Sequence, residues 1–411
     1  GEFAWMRFEG DLDKYRGHRV YLEFVDPGPG YHEIDEIRFS APAESGKASP
    51  SSAPPTVSPE TEALLAEGRR LATTLPPERF ALTMSEGTPE NARVYVRGSH
   101  RSPGEEVPRR FLTALGGREG DRLVLAEETV SPENPLFARV AVNRLWHHLF
   151  GRGLVPSVDD FGPMGRTPSH PDLLDWLAAD FIANGWSVKH TLRSLVLSRT
   201  YAQAATPHPD IDATVLANVD PTNTLLHHMP VRRLSAEAIR DSLLAVSGSL
   251  DPTLYGPSIP THRTPFMTGR GARESGPLDG AGRRTIYGAV YRNFLSPFLL
   301  TFDMPNPFGP KGHRGTSNVP AQALALLNDP FVLDQGEKWA ERVLADPSLS
   351  DEARLSRMYE KATGHLPNAP TLAALTSFLK EQSLLHGTTD ARPWTDLAHV
   401  LFNQKAFFYL R

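Results

Sequence analysis

From residue 135 onward, apolar residues recur at intervals of three and four, the spacing that gathers them on one face of a helix. Phe137, Ala138, Ala141, Val142, Leu145, Trp146 and Leu149 share one broad arc. Asn134 suits the cap of this helix and Pro135 its first position, where a missing N–H costs nothing. Gly151 and Gly153 supply its stop. A second helix opens near Ser169 and Pro171, buries Leu174, Leu177 and Phe181, and stops at Asn184-Gly185. Ser187 caps a third, with Val188, Leu192, Leu195 and Val196 inward. Ser235 caps another, with Ile239, Leu243 and Val246 inward and Gly248 at its end. The same period predicts helices over residues 60–74 and most of 320–345, 352–363, 371–384 and 394–404.

Upstream the period changes to two. Val20 to Val25 alternate as a strand, Asp26-Pro27-Gly28-Pro29-Gly30 makes a turn, and Ile34 to Phe39 return. Residues 41–59 (APAESGKASPSSAPPTVSP) carry no apolar period and read as a linker. Residues 80–115 read as mostly extended, with VYVRG as a strand, and TIYGAVYR at 285–292 reads as another. Between them, residues 251–284 form a Gly/Pro/Arg-rich loop of unusual length. The expected fold is mainly α: a multi-helix domain over residues 131–411, preceded by a lead-in at 60–130, the linker, and a small β portion at 1–40.

The segments NPLFARVAVNRLWHHLFGRGLV, DFGPMGRTPSHPDLLDWLA, NGWSVKHTLRSLVLSRTY, RRLSAEAIRDSLLAVSG, GTSNVPAQALALLNDPFVL and WTDLAHVLFNQKAFFYL follow one another in order. Together they resemble the planctomycete-specific C-terminal domain of unknown function, over about two thirds of the chain. VYVRGSHRSPGEEVPRRFLTAL resembles the lead-in before that domain. The resemblance implies an exported module, periplasmic or extracellular, at the end of a multidomain polypeptide with a cytochrome c-type domain upstream. DLDKYRGHRVYLEFVD with IDEIRFS is similar to the last strands of a sugar-binding β-sandwich. Complex polysaccharide, sulfated chains included, is therefore one partner the resemblance implies, and a cytochrome c-type domain is the other.

Composition trims this picture. With no cysteine the chain lacks a C-x-x-C-H haem site and thiolate metal ligands, so no haem is expected and no other cofactor is implied. The chain is read as a C-terminal portion of a larger protein, or as a member lacking the cytochrome module. A net charge of −5 gives no basic footprint for nucleic acid. No stretch reaches a membrane-spanning length of about 18–20 apolar residues. P-loop, dinucleotide and nucleophile-elbow motifs are missing from the sequence.

Three groups of residues carry candidate chemistry. Arg139, Asn143 and His147 step along one helix edge. They suit an anionic or polyhydroxylated ligand, or they order neighbouring loops. Asp160 and His170 flank a glycine loop and suit general acid–base catalysis, or they make turns and caps. Arg240 and Arg292, with Arg232, Arg233 and Arg314, suit either an anion site or a buried arginine–carboxylate network. His147-His148 and His227-His228 lack any metal-ligand spacing, and no metal is expected. Three functions follow: a polysaccharide-binding module, a hydrolase with an Asp/His/Arg site, or a docking platform for a cytochrome c-type domain.

Overall fold

The computed structural model describes residues 59–74, 90–271, 273–388 and 390–410. The two strands expected within residues 1–40 and the linker that follows lie outside the described residues, apart from Pro59. The chain divides into two units, residues 1–86 and 87–411. The described part of the first is one helix, α1 (Pro59–Thr74).

The second unit is mainly α. It opens with a hairpin of β1 (Ala92–Tyr95) and β2 (Pro103–Val107), antiparallel and with every β1 residue exposed. Helix α2 (Arg122–Thr129) follows, capped by Asp121, whose carboxylate accepts from the Leu123 and Val124 N–H groups.

Three helices then build a first core. In α3 (Phe137–Phe150) the buried positions are Ala138, Val142, Asn143, Trp146 and Phe150. The helix starts two residues later than Asn134-Pro135 predicts. Asn134 instead binds back to the Glu128 and Thr129 carbonyls and accepts from the Leu136 N–H, closing a turn. Helix α4 (Pro171–Ala183) buries Leu174, Leu177, Ala178 and Phe181 against it. Helix α5 (Val188–Val196) is capped by Ser187 as expected, but its buried face is Thr191 and Leu195. Val188 and Val196 are exposed. The reason is Thr191, which stands inward where an apolar reading of the arc places only hydrocarbon. Trp146 stacks on Phe150 with ring centroids 4.2 Å apart. Each such large side chain contributes roughly 1.5–3 kcal/mol by leaving water.

A short helix, α6 (Ala213–Val219), leads toward β3 (Arg232–Arg233). A second core follows, built on α7 (Ala236–Ser247), α8 (Pro297–Thr301), α9 (Pro320–Asn328), α10 (Pro330–Leu344), α11 (Asp351–Thr363), α12 (Ala369–His386), α13 (Ala391–Phe402) and α14 (Lys405–Phe408). Helices α10 and α13 pack through Trp339 and Phe402, stacked at 5.3 Å. The chain returns as β4 (Tyr409–Leu410), which pairs antiparallel with β3, Arg232 opposite Leu410 and Arg233 opposite Tyr409.

Residues 285–292 do not form the expected strand. Thr285 to Tyr287 make a tight 3-10 turn, because Thr285 is pinned to α7. Its N–H and hydroxyl both donate to Asp241 Oδ1, at 2.8 and 2.6 Å. Only Gly288 bridges in extended fashion, to Ile259. Asp251 bridges Arg283 in the same parallel sense, so the long loop folds back along itself. Among the described residues no helix is long and apolar enough to cross a membrane.

Candidate functional site

Two irregular loops meet beside the end of α3. The first, around residues 157–166, is fixed by its own side chains. The Ser157 hydroxyl donates to the Asp160 carbonyl at 2.7 Å and accepts from the Arg166 N–H at 2.8 Å. Asp160 Oδ1 accepts from the Gly162 N–H at 2.8 Å. Its neighbour Asp159 faces the second loop. Asp159 Oδ2 lies 3.5 Å from His313 Nδ1. Asp159 Oδ1 sits where a Cβ on Gly312 would come within 1.5 Å, so a larger residue there would have to push the carboxylate aside. Arg314 anchors this second loop to α7 through Glu237, Nη1 to Oε2 2.6 Å.

His147 completes the junction from the last turn of α3. It is half-buried, and its Nδ1 is buried with no hydrogen-bond partner. Burial pushes its imidazole below the usual histidine range, and His148, His313 and Arg232 push the same way against Asp159. Arg232 donates from Nη1 to the His148 carbonyl at 2.6 Å, satisfying one of the orphan acceptors at the helix end. A neutral imidazole thus stands near an imidazole–carboxylate pair and a guanidinium. That set can accept a proton, donate one, and hold an anion.

The residues singled out from the sequence are only partly brought together here. His147 lies at the junction, and Asp160 lies on its first loop. His170 precedes α4, with Nδ1 3.0 Å from Ser169 Oγ, and no hydrogen bond or ion pair joins it to Asp160 among the described residues. Arg139 leaves the group for Asp175, Nε to Oδ1 2.7 Å. Asn143 is fully buried and clamps the chain after α3: its Oδ1 accepts from the Val155 N–H and its Nδ2 donates to the Val155 carbonyl, at 2.8 and 3.0 Å. Arg240 is mostly covered, its side chain 14% exposed, and is tied into a network, donating to the Asp279 and Arg283 carbonyls and to Thr285 Oγ1. Arg233 is the same kind of residue, bound to Asp303 and to the Ser317 and Phe302 carbonyls.

Arg292 differs from these. It is exposed and lies over the Phe308 ring, 5.8 Å from its centroid. Arg273 is exposed likewise and lies 5.4 Å over Tyr291. No carboxylate pairs with either among the described residues. Sequence reading missed Arg273 and His313. Arg273 carried no signal beyond a run of loop arginines, and His313 meets a partner far upstream that no spacing rule connects to it.

Among the described residues no group of three or more His, Cys, Asp or Glu is placed to hold a metal ion. No curated protein and no solved structure matches the chain. The family model described as "PSD1: Protein of unknown function (DUF1553)" matches residues 121–379, well over half of the sequence and the whole of both cores up to α12. The protein with this α-helical double core and its loop junction therefore belongs to the DUF1553 family.

Proposed function

We propose that this protein is an exported module that binds an anionic, sulfated or uronic, polysaccharide through the irregular segment 251–319. The observation that carries the reading is the pair Arg273 and Arg292, exposed and stacked over Tyr291 and Phe308 without a carboxylate partner among the described residues. A cation–π contact at 5.4–5.8 Å steadies each guanidinium beside its ring without using a carboxylate, and both side chains stay exposed to water. The N–H edge of a guanidinium matches a sulfate or carboxylate in bidentate fashion. The segment holds eight Arg and Lys against four Asp and Glu, within a chain of net charge −5. Phe308, which Arg292 overlies, and Phe266 of the same segment are both largely exposed and add apolar surface.

The test is retention on a sulfated-polysaccharide column over a salt series. Retention is expected to weaken steeply as salt rises, since exposed charges are screened over about 8–10 Å at physiological ionic strength. The double variant Arg273→Ala/Arg292→Ala should keep its melting temperature and lose retention. Unchanged retention in that variant defeats the proposal. Retention of a cytochrome c-type domain in place of the polysaccharide would substitute the docking reading.

A second reading, a hydrolase with an Asp/His/Arg site, is favoured by the meeting of Asp159, His313 and His147. Release of reducing ends from the same polysaccharide, abolished in His313→Ala, would support it. Equal release by wild type and variant would end it.

A further inference from the structure

The turn after α6 carries a cluster that neither the stacked arginines nor the Asp159 junction uses. Asp220 is buried. Its Oδ1 accepts from the Thr224 N–H at 2.7 Å and its Oδ2 from the Leu225 N–H at 2.8 Å, so the carboxylate is fixed by its own turn. His227 Nε2 lies 3.9 Å from Asp220 Oδ2. On the opposite edge of the same ring, His227 Nδ1 lies 3.1 Å from His228 Nδ1. Both rings and Asp220 border a shallow pocket of about 240 Å³, whose apolar wall includes Pro207, Ala213, Leu216, Ala217 and Pro221. Asn223 borders it too, and its Oδ1 is buried with no hydrogen-bond partner.

An Nδ1-to-Nδ1 contact of this length needs one proton between the rings, so one imidazole donates and the other accepts. The two assignments differ in what faces Asp220. If His227 donates, its Nε2 lone pair is turned toward a buried carboxylate, and two electron-rich atoms oppose each other. If His228 donates, His227 carries its proton on Nε2 and directs it at Asp220. The second assignment is the favourable one: at 3.9 Å the pair is beyond hydrogen-bond range, but a buried carboxylate still attracts an N–H and repels a lone pair across that gap. His228 then holds its proton on Nδ1 and leaves the Nε2 lone pair open.

We propose that Asp220, His227 and His228 form a directional relay. It presents His228 Nε2 as a base to a small, partly apolar pocket ligand that carries O–H or N–H donors. One proton passes from the ligand donor to Nε2, and the donor atom keeps the bonding electron pair. The imidazolium so formed is stabilised through His227 by Asp220. His227 and Asp220 are positioning residues. Asn223 Oδ1 is the acceptor for a second donor on the same ligand. Burial, then His227, pushes the His228 imidazole below the usual histidine range against the pull of Asp220, which suits a base that stays neutral near pH 7.

Imidazole nitrogen NMR on the full chain near neutral pH tests the relay directly. The expected result is His228 protonated on Nδ1 and His227 on Nε2. Diethyl pyrocarbonate, which modifies an unprotonated ring nitrogen, probes the pocket. Peptide mapping should show His228 modified several-fold faster than His227. In His227→Gln, His228 should lose its fixed tautomer and populate both forms, while helix content is retained. His228 found as the Nε2–H tautomer in the wild type overturns the proposal, and so does equal modification of the two rings. The wild-type spectrum decides the matter even where the variant fails to fold.

Discussion

Arg233 and Asp303 form an ion pair that joins β3 to the end of α8, Nη2 to Oδ2 2.6 Å, with the Arg233 side chain 3% exposed. Asp303 also takes the Ser317 N–H and hydroxyl, each at 2.8 Å, so one carboxylate ties together three separate parts of the chain. Its backbone adopts the left-handed region, φ 65°, to reach them. Removing the carboxylate leaves a buried guanidinium without its counter-charge. Asp303→Ala is expected to cost about 3–5 kcal/mol of stability. Denaturant unfolding checks this, and a loss below about 1 kcal/mol would show the pair to be dispensable.

Arg240 and Arg292 separate structure from ligand binding. Arg240 is mostly covered and serves three acceptors. Arg240→Ala should cost about 2–3 kcal/mol, since each part-buried acceptor loses a charged donor. Arg292→Ala touches an exposed side chain and should stay within about 0.5 kcal/mol of the parent. Its effect belongs in polysaccharide retention. Thermal melts of the two variants side by side give the answer, and equal destabilisation would contradict it.

His399 predicts an acid limb of stability. Burial holds its imidazole below the usual range, against Asp396, the Val332 carbonyl and Glu337. Its Nε2 is buried without a partner and packs on Gly336 of α10. As pH falls below about 6.5 the unfolded imidazole takes up its proton while the folded one stays neutral. The unfolded state then binds more protons, so this contribution is complete above about 6.5 and is lost as pH drops toward the lowered folded value. His399→Asn, whose amide can take the Nδ1 position, keeps a donor for Val332 and removes the titration. Its stability should fall less between roughly pH 6.5 and 5. An unchanged slope would place the acid sensitivity elsewhere, with His147 the next candidate.

Gly151 ends α3 in the left-handed region, φ 79°, and a Cβ there would meet Arg232 Cδ at 2.6 Å. Gly151→Ala is expected to lose about 1–2 kcal/mol from backbone strain alone. It should also displace Arg232 from the His148 carbonyl. Urea midpoints compare the variants Gly151→Ala and Arg232→Ala. Additive losses in the double variant would argue against the shared contact.

Much of the helical framework was legible because its signals are local. Ser187, Ser235, Gly151 and Gly248 mark helix ends in the structure as they do in the sequence. Ile239, Leu243 and Val246 are inward for the same reason. Legibility failed where a distant partner decided the outcome. Thr285 turns because Asp241 holds it, and Asn134 leaves the first helix because the carbonyls of Glu128 and Thr129 claim its amide. The arginines were legible as a group but not as individuals. Only burial separates Arg240, which braces a loop, from Arg292, which faces water. His313 acquires meaning only when folding brings Asp159 to it.

The pairing of β3 with β4 has a consequence in time. Arg232 and Arg233 emerge from a ribosome about 175 residues before Leu410 and Tyr409, which at ordinary rates is roughly 9–35 s of synthesis. Through that interval the strand between the two cores has no partner. The first core, with α3, α4 and α5, is already complete and can fold beside the tunnel exit. The second can seat the Arg233 side chain on Asp303 and Ser317 earlier, but the β3 backbone gains its partner only when the last pair of β residues is released. A nascent chain halted at residue 400 should therefore protect α3 to α5 from protease while leaving the 231–234 backbone open to it.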